Sequence, residues 1–329
     1  MSLSRQCDRW LPPATTAGLV MAVALVIGSP QLCAQDVPES RSGVRLILGP
    51  TERAVNNGDP TQWYPHALLE LTGQLQTLDQ DQVSIITAGQ SVPERYAAAR
   101  LVSAELLQVP DDQQRAIQSF RDGEMTKALT ELVNVVSSPD PQSRPAVWRQ
   151  QWLSMLASQA AMRSGRGEIA LELVKQLDKR PLPMFVIALV PVDWTGVAGD
   201  NLFEPAAAMA SSESLLVKLV AASWLIRSPK YRAAAEAALT RLAAQQDRPV
   251  VAKLAAHLAW RSKSPTETKD TFSRERSVVD QLPLALQTGP LLSLLDVARR
   301  TSQPDEVKEL ELALRYAAPT WHPDLPKNP

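Results

Sequence analysis

Apolar residues recur at intervals of three and four along most of this chain, which is the spacing of a helix with one buried face. In the first part the spacing predicts helices over residues 64–78, 91–107, 111–123 and 129–136. The second of these opens on Ser-Val-Pro-Glu at 91–94, which has the form of a capping box with an early proline. Helix is therefore the expected structure from residue 64 onwards.

The strongest pattern in the first half is a pair of amphipathic helices between residues 145 and 180. The first ends at Gly165 and the second is stopped by Pro181, so the two form a helical hairpin. Its small and apolar marker positions are Ala157, Ser158, Ala161, Gly165, Ala170, Val174 and Leu177. At these positions the hairpin resembles a tetratricopeptide-type repeat, and the resemblance implies a stack of such hairpins.

Three consecutive helices joined by minimal turns are predicted across residues 213–262. The first of them is apolar nearly all round, which is typical of a helix enclosed by neighbours. In shape and patterning this group resembles a unit of an armadillo or HEAT-type array. A last pair over 291–300 and 305–317 repeats the hairpin, but the helices start at irregular intervals, so there is no strict repeat period.

Two apolar stretches depart from the helical spacing, Val44–Leu48 and Met184–Val190, and each could be a short strand or a buried connector. The predicted fold class is all-α: helical hairpins stacked as an irregular α-solenoid, with at most one or two short strands. The predicted divisions are a signal peptide at 1–34, a linker at 35–60, a front helical half at 61–191, a connector at 192–211, a back helical half at 212–317 and a proline-rich tail at 318–329.

The first residues predict export. Arg5 and Arg9 precede an apolar run over 17–28 and a cleavage site before Gln35, which is the pattern of a secretory signal peptide. Retention as a membrane anchor and lipidation at Cys33 are the alternatives; as a helix the run rises only about 18 Å, against about 30 Å for a bilayer core. We expect a periplasmic, cell-envelope or secreted protein with no membrane span after cleavage. Cys7 and Cys33 are the two cysteines, so the cleaved chain would contain no thiol.

Charge and motifs predict no particular chemistry. The net charge is −1 and no block of lysine and arginine stands out, so nucleic-acid binding is not expected. The three histidines, His66, His257 and His322, lack the spacing of a zinc site. Residues 165–170 fit G-x-G-x-x-A, but a helix precedes them where a dinucleotide site needs a strand. We predict no cofactor, no metal and no catalytic residue.

One glutamate–serine pair, Glu213-Ser214, stands at the start of a predicted helix. Soluble lytic transglycosylases are exported helical enzymes that cut cell-wall glycan with a glutamate followed by serine, and Glu213-Ser214 is the only such pair at a predicted helix start. The residues after it do not resemble the family's pattern, and Glu213 suits the first turn of a helix electrostatically. An envelope-polymer-acting enzyme, a glycan hydrolase or lyase using carboxylates, is therefore the alternative function.

The candidate partner-binding residues are Trp148, Trp152, Arg149 and Arg144. The two tryptophans are four positions apart and share a helix face, and tryptophan and arginine are the residue types that anchor protein interfaces. Exposed, they would form a binding ridge; buried, they would be core residues of the hairpin. The predicted function is a non-enzymatic scaffold that binds a protein or peptide partner in the cell envelope.

Overall fold

The computed structural model of the chain describes residues 43–50, 68–140, 143–317 and 320–325. The predicted signal peptide, both cysteines and His66 lie outside these residues, as does most of the predicted linker. Within the described part, sheet and helices contribute to one contiguous apolar core that runs from Val44 to Leu314.

An antiparallel sheet occupies the amino-terminal part of the structure. Its strands are β1 (Val44–Leu48), β2 (Leu69–Leu78), β3 (Gln82–Thr87), β4 (Glu94–Ala97) and β5 (Leu101–Leu106), in the spatial order β4-β3-β2-β1-β5. Leu46 lies opposite Leu71 of β2 and opposite Ala104 of β5. Because side chains alternate between the faces of a strand, Leu46 is buried while Arg45 reaches the other face. There Arg45 pairs with Glu70 and Glu105 of the flanking strands.

The prediction of an all-α solenoid with at most one or two strands is wrong, because five strands pair into a single sheet. The stretch predicted as helix over 64–78 is strand β2 from Leu69 onwards, and the one predicted over 91–107 contains β4, a 3-10 turn and β5. The proposed capping-box glutamate, Glu94, is instead the first residue of β4 and accepts a hydrogen bond from the Tyr96 hydroxyl. Of the two exceptional stretches, Val44–Leu48 is a strand.

The rest of the described chain is helical. Its α-helices are α1 (Asp111–Arg121), α2 (Met125–Val136), α3 (Val147–Arg163), α4 (Gly167–Leu177), α5 (Met184–Ile187), α6 (Phe203–Met209), α7 (Leu215–Leu225), α8 (Arg232–Ala243), α9 (Pro249–Arg261), α10 (Pro265–Asp270), α11 (Phe272–Asp280), α12 (Leu284–Arg300) and α13 (Pro304–Ala317). Helix α1 packs against α2, α2 against α3 and α3 against α4, while α5 and α12 contact β5. The sheet is thereby joined to the helices at its β5 edge.

The stretch Met184–Val190, expected to be a strand or an extended connector, contains the short helix α5. Phe185, Val186 and Ile187 of α5 are all buried. Proline suits the start of a helix because it lacks only an N–H that would be unpaired there, and Pro183 immediately precedes the helix. A single helical turn buried on several sides leaves no amphipathic spacing, so a continuous apolar run does not distinguish it from a strand.

The segment from Pro191 to Gly199, where the sequence suggested a connector, is held by buried hydrogen bonds. The Trp224 indole donates to the Pro191 carbonyl oxygen at 2.8 Å. The Arg261 guanidinium donates to the Asp193 carbonyl oxygen at 2.7 Å. The Trp194 ring lies against α12 at Gly289, where a Cβ atom would approach the indole nitrogen to 2.4 Å. This segment therefore links α7, α9 and α12.

Candidate functional site

The amino-terminal end of α3 carries three of the four residues predicted to bind a partner, and Arg144 precedes it. The helix begins after Pro145 and Ala146, and Ala146, at the N-cap, has no side-chain oxygen to cap the first amides. No acidic residue stands in the first turn. The positive end of the helix dipole is therefore not offset by a carboxylate within this turn.

The structure buries most of the predicted ridge. Trp148 is 3% exposed and its ring packs edge-on against Phe185 at a centroid distance of 6.3 Å. Trp152 is half-buried. Arg144 remains exposed and donates from Nε to the Ser138 carbonyl oxygen at 2.8 Å. The two tryptophans thus belong largely to the core, and of the four predicted residues only Arg144 and part of Trp152 are exposed.

Arg149 is buried and contacts both tryptophans of α3 as well as a residue of α1. It is 4% exposed, and its guanidinium carbon lies 4.4 Å from the Trp152 ring centroid and 6.0 Å from that of Trp148. Its Nε donates to Gln113 Oε1 of α1 at 3.0 Å. Burial lowers the pKa of Arg149 to about 10, an effect opposed by the charge of Glu105. The side chain is still a cation at neutral pH.

Gln113 is the residue of this candidate site that the sequence pattern does not indicate. It lies in the first turn of α1, is buried, and supplies the hydrogen bond to Arg149 across 36 positions of sequence. Glutamine in the first turn of a helix is ordinarily a solvated residue, so nothing in its local pattern indicates this role.

Glu213 lines an open cleft of about 650 Å³ between α4, α6 and α7. Other residues lining it include Lys175, Asp178, Lys179, Met209, Ser214 and Arg248. The buried Asp178 carboxylate pairs with Arg248 at 2.7 Å and accepts a hydrogen bond from the Ser214 hydroxyl at 2.7 Å. Ser214 is also the N-cap of α7, accepting from the Val217 amide. Both Asp178 and Ser214 are therefore committed to holding α7 in place.

The described histidines lie in the core. His257 Nδ1 is 2.7 Å from Glu275 Oε1, and its ring packs between Trp194 and Trp260. His322 is buried in the carboxyl-terminal segment that returns over α3 and α12. No group of three or more histidine, cysteine, aspartate or glutamate side chains in the described ranges is arranged to hold a metal ion.

Comparison with protein-family models, curated proteins and solved structures gives no match for this chain. None of the helices within the part of the chain that the structure describes has both the length and the apolar character needed to cross a membrane. The candidate functional surfaces are therefore the side chains around the start of α3 and the cleft beside α7.

Proposed function

We propose that this protein is a non-enzymatic binding protein of the cell envelope, and that the surface at the amino-terminal end of α3 holds a protein or peptide partner. The observation that carries the proposal is Arg149, a nearly buried cation seated on Trp152 and Trp148 with one hydrogen bond to a neutral side chain. Tryptophan and arginine in partly desolvated positions dominate the binding energy of protein interfaces. The predicted export signal supports the location.

Capture from an envelope fraction tests this function. The full chain is immobilised beside Arg149→Met, Arg144→Glu and the control Arg241→Met, which removes an exposed arginine on α8. We expect a protein retained by the wild type to be lost with both α3-end variants and kept by the control, as mass spectrometry of the eluates would show. Equal retention by all four proteins, or retention of glycan alone, would contradict the proposal.

A glycan-cleaving enzyme is the second candidate, because Glu213 and Asp178 line the same cleft. Under the binding proposal, the wild type and Glu213→Gln release no soluble fragments from purified cell-wall glycan. Asp178 already has two partners, Arg248 and Ser214, and so offers no free carboxylate to work with Glu213. Release by the wild type that falls at least about 100-fold in Glu213→Gln would replace the binding proposal with the enzymatic one.

A further inference from the structure

The described part of the chain contains two nearly buried arginines on helices. They differ in the hydrogen-bond and carboxylate partners of their guanidinium groups. Arg261 donates to the Asp193 carbonyl oxygen and lies 3.6 Å from the Asp296 carboxylate. Arg149 has a single hydrogen bond, to the amide oxygen of Gln113, and no carboxylate in the described ranges is paired with it. A buried charge is costly to a fold unless it is paired and hydrogen-bonded. Arg149 therefore lacks the partner that Arg261 has.

The free donors of Arg149 are suited to an anion from outside. A guanidinium has five N–H donors in one plane, and only the Nε donor is used here. The two Nη atoms are not enclosed without a hydrogen-bond partner, so they keep access to solvent. Stacking on an aromatic face leaves the in-plane donors available. Arg149 can thus rest on Trp152 and still bind an oxygen ligand along its edge.

The charges facing Arg149 do not neutralise it. Glu105 of β5 favours the charged form and Arg121 of α1 opposes it. Glu105 is already paired with Arg45 on the exposed face of the sheet. The start of α3 adds the positive end of a helix dipole without an acidic residue in its first turn. The helix dipole therefore favours an incoming anion beside Arg149, while the charge of Glu105 opposes one.

We propose that Arg149 is a carboxylate-binding residue that receives an aspartate or glutamate side chain from an acidic peptide segment of the partner. The proposal rests on the binding function proposed above and names the chemistry of the ligand. A carboxylate matches the planar fork of arginine. The exposed Val147 and the half-buried Trp152 on the same helix offer apolar contacts to residues flanking the acid. Such contacts suit a peptide better than a free inorganic anion.

Two capped peptides test the assignment, Gly-Val-Glu-Val-Glu-Gly and the same peptide with glutamine at both glutamate positions. Binding to the full chain is followed by isothermal titration calorimetry and by tryptophan fluorescence, with Trp152→Phe identifying the signal of the reporter ring. We expect the acidic peptide to bind at least about tenfold more tightly than the glutamine peptide, since charge-assisted bonds to arginine are the stronger ones.

Variants separate recognition from support of the fold. Arg149→Met removes the charge at similar length, and Arg149→Lys keeps a buried cation but removes the fork. We expect Arg149→Met to lose the preference for the acidic peptide and Arg149→Lys to weaken it, with Arg241→Met as the unchanged control. Arg149→Lys keeps the test valid where Arg149→Met fails to fold. Equal binding of the two peptides to the wild type, or a preference undiminished in both Arg149 variants, would overturn the assignment.

The carboxylate assignment and the binding function can fail separately, and the two experiments distinguish these failures. In one outcome, a partner is captured in an Arg149-dependent way but the two peptides bind equally. That result would support the binding function and refute the assignment of a carboxylate ligand. An Arg149-dependent preference for the acidic peptide without any captured protein would support the carboxylate site and contradict the scaffold function.

Discussion

Replacing Trp224 with alanine is expected to lower the free energy of unfolding by about 4 kcal/mol, because it removes a large, completely enclosed side chain. Trp224 is 0% exposed on α7. Its indole N–H is also the hydrogen-bond partner of the Pro191 carbonyl oxygen, which would be left unpaired in the interior. Urea unfolding followed by far-ultraviolet circular dichroism measures the change.

Two variants calibrate this prediction. Trp224→Phe keeps most of the ring but loses the bond to Pro191, and we expect it to cost less than half as much. Trp321→Ala removes the same residue type where it is 43% exposed and packed edge-on against Phe120, so about 1 kcal/mol is expected. If Trp224→Ala were no worse than Trp321→Ala, the segment starting at Pro191 would not be the internal link described above.

The helices were predictable where one face of each is buried against a neighbour. The stretches over 111–123 and 129–136, the hairpin between 145 and 180, and the three helices within 213–262 all show helix. Their apolar residues repeat with the helical period, and proline or glycine stands near their ends. Local pattern suffices here because each helix satisfies its own backbone hydrogen bonds.

The sheet was not predictable in the same way, although one signal was present. Leu69, Leu71 and Leu75 with Gly73 occupy alternate positions of β2, and polar residues stand between them. The same leucines also fit spacings of three and four when Leu68 is included, which favoured helix. What decides between the two is pairing with Val44–Leu48, more than twenty positions earlier. Strand preference depends on such distant neighbours more than on the local sequence.

The candidate site was predictable in its residues but not in its form. Spacing placed Trp148, Arg149 and Trp152 on one helix, as found. Whether that face is exposed depends on α5, which brings Phe185 against Trp148, and on α1, which brings Gln113 against Arg149. Both partners come from elements whose packing no local period indicates. The difference between an exposed ridge and a recessed arginine is therefore a tertiary property.

Acidification from pH 6.5 to pH 4 is expected to destabilise the fold through His322. This side chain is 2% exposed, and Nδ1 accepts a hydrogen bond from the Asp324 amide at 3.2 Å, which requires the neutral ring. Burial lowers the pKa of His322 from 6.5 to about 4, with Asp324 opposing the shift and Arg163 adding to it.

Because the folded-state pKa lies below the unfolded one, the unfolded chain takes up the proton first as the pH falls. The contribution is fully present above pH 6.5 and is lost progressively down to about pH 4. A shift of this size corresponds to about 3 kcal/mol. Urea unfolding at pH 7, 6, 5 and 4 measures it, with His322→Gln as the matched variant that lacks the titrating ring.

The quantity to follow is the difference in the free energy of unfolding between wild type and His322→Gln, because other groups titrate in both proteins. The buried Asp193 carboxyl has a raised pKa, so protonation there favours the folded state as the pH falls and partly masks the histidine effect in either protein alone. Asp193 is unchanged in His322→Gln, so its contribution cancels in the difference. We expect wild type to lose stability relative to His322→Gln between pH 6.5 and pH 4, with a slope that reaches at most about 1.4 kcal/mol per pH unit midway. Parallel curves would show that His322 is solvated and that the residues from Thr320 to Leu325 are not held as the structure places them.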